Sequence, residues 1–322
     1  MYKFLAILFL TTFFFKASYA QQPVDTLIHK LDSLSKKTDS AGYQINNTKE
    51  AAYNSVTKLS GRDYFILLGS NLKQSFTKPF HMTGQDWKKL GIFTGVALGT
   101  GFADETIQKN ALSLRNKSSA VRNTGNYISR FGGLYEVYTL AGFGAYGLIV
   151  KNEKVKNTTL LATQAYITGG IVEAVLKTLS GRTRPSFYGR YEEAEPKFLG
   201  PFGNTSKDAA GKKSNSSFPS GHTTVAFAAA TVFAKEYANQ PLVPVIAYSA
   251  ATLIGVSRIT ENKHWASDVL VGAALGFLTG RQVVNNYHRF AKIKTDAKKK
   301  GQLSFNLRYD FGKMMPGVVY KF

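Results

Sequence analysis

Residues 257–268 read SRITENKHWASD and run directly into VLVGAALGFL at 269–278. A polar dozen set between apolar segments at 241–257 and 266–287 has to be a turn that carries charged groups to the mouths of two helices. How it is read decides the fold and the chemistry together. Within it, His264 and Asp268 are four residues apart, so on a helix the carboxylate lies beside the imidazole. A carboxylate on one ring nitrogen fixes the tautomer and leaves the other nitrogen as a nucleophile. Arg258 adds a cation, and the adjacent Trp265 is either a pocket wall or core.

Two further polar clusters flank apolar segments in the same way. The first is KTLSGRTRP at 177–185, where Lys177 and Arg184 are seven residues apart. That is about two helical turns, so both cations share a face if the helix persists until Pro185 breaks it. Cations so placed repel unless an anion lies between them. The second is FPSGHTTVAFAAATVF at 218–233, with His222 at a helix start behind a Pro-Ser-Gly turn. Free backbone amides there make an anion site, and Gly221 allows close approach. His222 has no carboxylate at helical spacing and could donate a proton to a leaving group. Each cluster alone has a plainer reading: a solvated helix end, a helix-start histidine bonded to backbone, an ordinary surface pair. Together they suit phosphoryl transfer through a covalent phosphohistidine.

In this order the clusters resemble the signature of the superfamily that joins type-2 phosphatidate phosphatases, bacterial non-specific acid phosphatases and vanadium haloperoxidases. Lys177 with Arg184-Pro185, then Pro219-Ser220-Gly221-His222, then Ser257-Arg258 with His264 and Asp268 match it without a departure in spacing, over about residues 85–287. The resemblance implies an all-α fold, a six-helix core bundle. It implies His264 as nucleophile oriented by Asp268, and His222 as general acid. Lys177, Arg184 and Arg258 would hold the phosphate with Ser220 and the Gly221 amide. It implies no metal and no cofactor for hydrolysis. Vanadate enters only under the haloperoxidase alternative, and a non-catalytic envelope protein of the same fold is the other rival. His29, His81 and His288 match nothing in the pattern and are read as structural.

The rest of the chain sets the surroundings. It has 322 residues, a formal net charge of +21 and no cysteine, so disulfides and thiolate chemistry are excluded. The charge calls for an anionic partner: a phosphorylated lipid or small phosphoester substrate and an anionic membrane surface. Nucleic acid is not expected, since the lysines are scattered and no nucleic-acid motif is present. Oligomeric state is not legible. Residues 1–20 have the short apolar run and small-residue end of a signal peptide, which places the protein in the exported cell envelope. Residues 21–84 read as a polar region with amphipathic helices, 85–290 as the phosphatase domain, and 291–322 as a basic linker and C-terminal β-hairpin from the alternation in LSFNLRYDFG and VVYKF. The insert 186–218 is expected over the pocket. The apolar runs are interrupted by charges such as Glu173 and Lys235, and the mean hydropathy is −0.15. With three crossings after a cleaved leader, the first cluster would face inward. Both points favour a peripheral or soluble periplasmic domain over an embedded one.

Overall fold

The computed structural model describes residues 29–34, 44–188, 193–203, 214–300, 303–310 and 313–320. The expected leader and part of the 186–218 insert lie outside these residues. Residues 29–34 form a helical stretch in a unit of their own, Met1–Tyr43, and the rest of the chain forms a second unit.

In the second unit the helices are α1 (Gly61–Thr77), α2 (Gly84–Phe102), α3 (Asp104–Lys117), α4 (Ser119–Ile128), α5 (Leu134–Ile149), α6 (Glu153–Ser180), α7 (Gly221–Glu236), α8 (Leu242–Thr260) and α9 (Ala266–Lys300). Their starts are written locally. Ser60 with Asp63, and Thr83 with Asp86, each close a reciprocal capping box. Asn152 caps α6, and Gly181 ends it at φ +55.

The all-α expectation holds, but the count is ten helical segments among the described residues rather than six, with 29–34 as the tenth. The six apolar segments are present as α2 and α5–α9. Unforeseen are α3 and α4, which are short and polar overall and make the elbow between α2 and α5. The expected basic linker is also corrected, because α9 continues through KIKTDAKKK to Lys300. Lysine and alanine are good helix formers, cations suit a helix C-terminus, and Lys294 bonds Asp63 at 2.7 Å. Beyond it β1 (Leu303–Asp310) and β2 (Lys313–Tyr320) pair antiparallel, Leu303 opposite Tyr320.

The feature that builds the site is the direction of α7 and α9. Gly272, Gly276 and Gly280 of α9 face the carbonyl oxygens of Ser220, Thr224 and Ala228 so closely that a Cβ would come within 2.7, 2.2 and 2.5 Å of them. Positions rise together on both helices, so the two run parallel and begin at the same end. By the same reasoning α6 is antiparallel to α7, with Gly169 against Thr224 and Glu173 against Gly221. So is α8, with Gly255 against Thr223 and Tyr248 bonding Thr231. Ala226, Ala230, Ala251 and Ile254 make the small-residue core between α7 and α8. One end of the bundle therefore collects the C-termini of α6 and α8 and the N-termini of α7 and α9.

The outer faces are apolar. Ile92 and Leu98 on α2, Tyr138 and Ile149 on α5, and Ile246 and Leu253 on α8 are all more than half exposed. Among the described residues two helices, α6 and α8, are long and apolar enough to cross a membrane. Only 22% of the apolar window of α8 is buried within the protein. An exposed apolar belt of this extent suits contact with a membrane or with another protein. Of the charges that interrupt the apolar runs, Glu173 is buried, as is Glu236 next to Lys235.

Candidate active site

His264 stands in the turn between α8 and α9 and is 2% exposed. The turn is shaped by Asn262 in the left-handed region at φ 55, and the amides of Lys263 and His264 both bond the Arg258 carbonyl. Asparagine tolerates this conformation, which makes it a good helix terminator. Trp265 is core, fully buried, and its Nε1 donates to the Thr183 carbonyl at 2.8 Å.

The orientation of His264 differs from expectation. Its Nδ1 lies 2.7 Å from the Ser217 carbonyl oxygen, but 3.6 Å from the Asp268 carboxylate. A carbonyl only accepts, so Nδ1 carries the proton and the lone pair is on Nε2. The tautomer is the expected one, but a backbone carbonyl sets it. The reason is positional. Helix α9 begins at Ala266, so His264 lies before it and the i,i+4 helical face does not exist. Asp268 instead accepts from the Trp265 amide at 2.9 Å, half of a capping box.

Asp268 still governs the histidine, at one remove. Its Oδ2 accepts from Ser217 Oγ at 2.5 Å, its own carbonyl accepts from the Ser220 amide at 3.0 Å, and its Oδ1 meets Arg182 Nη1 at 2.5 Å. Arg182 is 3% exposed, and its other terminal nitrogen bonds Asp104 at 2.6 Å. Asp104 also takes the Ser267 amide at 2.9 Å, which ties the α2–α3 junction to the start of α9. The Arg182 guanidinium is flanked by the Phe198 and Trp265 rings, at 4.9 and 5.7 Å. Buried charges persist only when paired and bonded in this way. Arg182 and Asp104 escaped the sequence reading. Arg182 sits inside KTLSGRTRP but off the matched spacing, and no local pattern links Asp104 to a residue at 268.

The structure brings the three expected cations to this end by other means than a shared helix face. Lys177 is in the last turn of α6, whereas Arg184 lies beyond the Gly181 terminator in an extended loop. Arg184 is held by Ser216, Nε to Oγ at 3.2 Å and Nη2 to the carbonyl at 3.0 Å. Arg258, in the last turn of α8, donates to Ser129 Oγ. Burial, and then the positive charges of Arg184, Arg258 and Lys177, hold the His264 imidazole well below its ordinary pKa. This favours the neutral imidazole.

His222 follows the first residue of α7, with its ring against the Gly132–Gly133 turn before α5; a Cβ on Gly133 would stand 3.3 Å from its Nε2. The Ser220 amide is already committed to Asp268, and Ser220 Oγ shares a hydrogen with Thr223 Oγ1 at 2.9 Å. Of the described part of the 186–218 insert, Lys197–Leu199 pack on Gly181–Thr183 behind the cations. Among the described residues no three His, Asp or Glu side chains gather as metal ligands do.

Residues 158–292 match the profile of the PAP2 superfamily. The "Lipid A 1-phosphatase" of Porphyromonas gingivalis is 55% identical over 65 residues, 20% of this chain and 15% of that protein. "Lipid phosphate phosphatase 1" of Arabidopsis thaliana is 31% identical over 129 residues, 35% of this chain and 39% of that one. The chain thus spans under half the length of these curated relatives. A crystal structure of a transmembrane PAP2 type phosphatidylglycerolphosphate phosphatase from Bacillus subtilis superposes with a TM-score of 0.44 at 24% identity, covering 60% of this chain and 91% of that one.

Proposed function

The chain belongs to the PAP2 superfamily, and from that premise we propose that it is a membrane-embedded phosphatase that removes a terminal phosphate from a lipid through a phosphohistidine on His264. The observation that carries this reading is the Ser217 carbonyl on His264 Nδ1 beside Lys177, Arg184 and Arg258. A buried neutral imidazole with its lone pair on Nε2 among cations is an activated nucleophile.

In this mechanism the three cations take the non-bridging oxygens of the phosphoryl group. Nε2 attacks phosphorus as the bond to the leaving oxygen breaks, and His222 gives that oxygen its proton. Water then attacks the phosphohistidine, with His222 accepting a proton, and orthophosphate and free His264 are formed. The Asp268–Ser217 pair holds Nδ1–H in place throughout. The apolar belt supports a lipid as substrate. Helix α8, with 19 residues, is about 28 Å long and matches a hydrocarbon core of about 30 Å, so the polar end of the bundle reaches headgroup level. The relatives' names make lipid A and glycerophospholipid phosphates the first candidates.

The test is phosphate release by the detergent-purified protein from a lipid A 1-phosphate, phosphatidate, an isoprenoid diphosphate and a soluble aryl phosphate. Rapid-quench trapping of an acid-labile phosphoenzyme accompanies it. Turnover of the lipids well above the soluble ester is expected. Turnover of the aryl phosphate alone would overturn the lipid assignment, and a missing phosphoenzyme would overturn the covalent one.

A further inference from the structure

One buried carboxylate at the catalytic end has no role in the chemistry above. Glu173, one turn before Lys177 on α6, is 7% exposed and forms an ion pair with Lys177 Nζ. Its carboxylate also presses on the first residue of α7. A Cβ on Gly221 would lie 2.8 Å from Glu173 Oε1 and 3.3 Å from Oε2. So the glycine of the Pro-Ser-Gly-His turn makes room for a carboxylate of the protein itself. An oxyanion at the start of a helix, neutralised by the lysine assigned to phosphate, is the arrangement a bound phosphate would adopt.

Resting on the phosphatase reading, we propose that Glu173 is an internal competitor for the phosphate subsite. Without ligand it satisfies Lys177. An arriving phosphoryl group has to take the ammonium from it, and the displaced carboxylate is left as a like charge close by. Lys177 lies near enough to His264 for its charge to depress the imidazole pKa, so the contested cation is part of the reacting centre. Substrate can offset the cost with the binding of its leaving group. Orthophosphate has no such group, so the cost falls mainly on the product, and Glu173 thereby promotes its release. The other role open to this side chain, holding Lys177 in place for phosphate, predicts the opposite sign.

The experiment is calorimetric binding of orthophosphate and orthovanadate to the full chain in detergent micelles, with Ki for orthophosphate from turnover. Glu173→Gln is isosteric and removes the charge. It is expected to bind orthophosphate about tenfold more tightly, the scale of one like-charge contact in a partly screened site, and to show a lower kcat where release limits turnover. Glu173→Asp keeps the charge on a shorter arm and should fall between the two, which provides a reading if the Gln variant folds poorly. Unchanged or weaker orthophosphate binding in both variants overturns the proposal and leaves Glu173 as a prop for Lys177. If the unaltered protein binds neither anion, the phosphate reading of the site itself fails, and this inference fails with it.

Discussion

The two ends of the bundle each bury a histidine and a carboxylate, and they use them in opposite ways. At the end away from His222, His288 Nε2 meets Glu236 Oε1 at 2.8 Å, and Tyr53 donates its hydroxyl to Glu236 Oε2. Tyr287 stacks on Tyr53 and bonds Asn157 at 3.0 Å. Both carboxylate oxygens are thus occupied, Glu236 is fully buried, and the strap 44–60 is fastened to the bundle. At the other end His264 is held by a backbone carbonyl, its carboxylate is passed on to Ser217 and Arg182, and three cations surround the ring. A direct histidine–carboxylate pair is therefore the mark of the structural end. The other end is marked by a histidine held at Nδ1 by a backbone carbonyl, with the positive charges of Arg184, Arg258 and Lys177 around its ring. His288, read as structural from its failure to fit the motif, has its Nε2 taken up by Glu236.

This contrast is broken most severely at His264. His264→Ala is expected to reduce lipid phosphate turnover to background and to abolish phosphoenzyme trapping. His222→Ala should lose about 10²–10⁴-fold with lipid substrates and much less with an aryl phosphate of low leaving-group pKa. Label trapped on His264→Ala but not on His222→Ala would reverse the two roles.

Arg182→Met tests the support beneath the nucleophile. It leaves Asp104 and Asp268 buried without their shared cation, at a cost of about 3–5 kcal/mol in stability. The measurement is Tm together with kcat. Arg182→Lys, with one short ammonium for two carboxylates, should lie between. An Arg182→Met protein with unchanged Tm and kcat would show that the network is not coupled to the site.

The pH profile provides a finer probe. The depressed His264 pKa keeps the neutral nucleophile available on the acid side, so the His264 limb of kcat/KM falls below the ordinary imidazole range. Lys177→Met removes one depressing charge, and the limb should move to higher pH at fixed substrate. A limb that moves to lower pH or stays in place contradicts the assignment of Lys177 to the ring's field.

The smallest effect is expected at the far end. Tyr53→Phe removes one hydrogen bond from Glu236, which His288 still satisfies. A loss of about 1 kcal/mol and a few degrees in Tm is expected, with kcat/KM unchanged. A changed kcat/KM would mean that the two ends are coupled through α7.

Much of the site could be read in the linear chain because its parts sit at local boundaries. Lys177 ends one helix, His222 opens another, and Arg258 and His264 flank a third boundary. Such positions follow from capping, glycine and the change from apolar to polar residues. The apolar segments that became α2 and α5–α9 were legible from their length alone. The polar α3 and α4 were not, since each spreads only a few apolar residues over a short stretch. The bearing of charge on the outer faces was not legible for a related reason. Composition counts Glu173 and Glu236 against an embedded helix, whereas their burial removes them from the outer face.

The amino-acid sequence by itself determined the helical class and pointed to the residues of the candidate phosphate site in their order, because these rest on short-range chemistry. Tertiary structure decided how they act. The parallel packing of α7 and α9 on Gly272, Gly276 and Gly280 brings two distant helix starts to one end. That packing hands His264 to the Ser217 carbonyl, 47 residues away, instead of to Asp268, and the folded chain spans Asp104 and Asp268 with Arg182. Spacing of four along a chain predicts a contact only where a helix is continuous between the two positions. Here the helix starts two residues after His264, so long-range packing chose the histidine's partner.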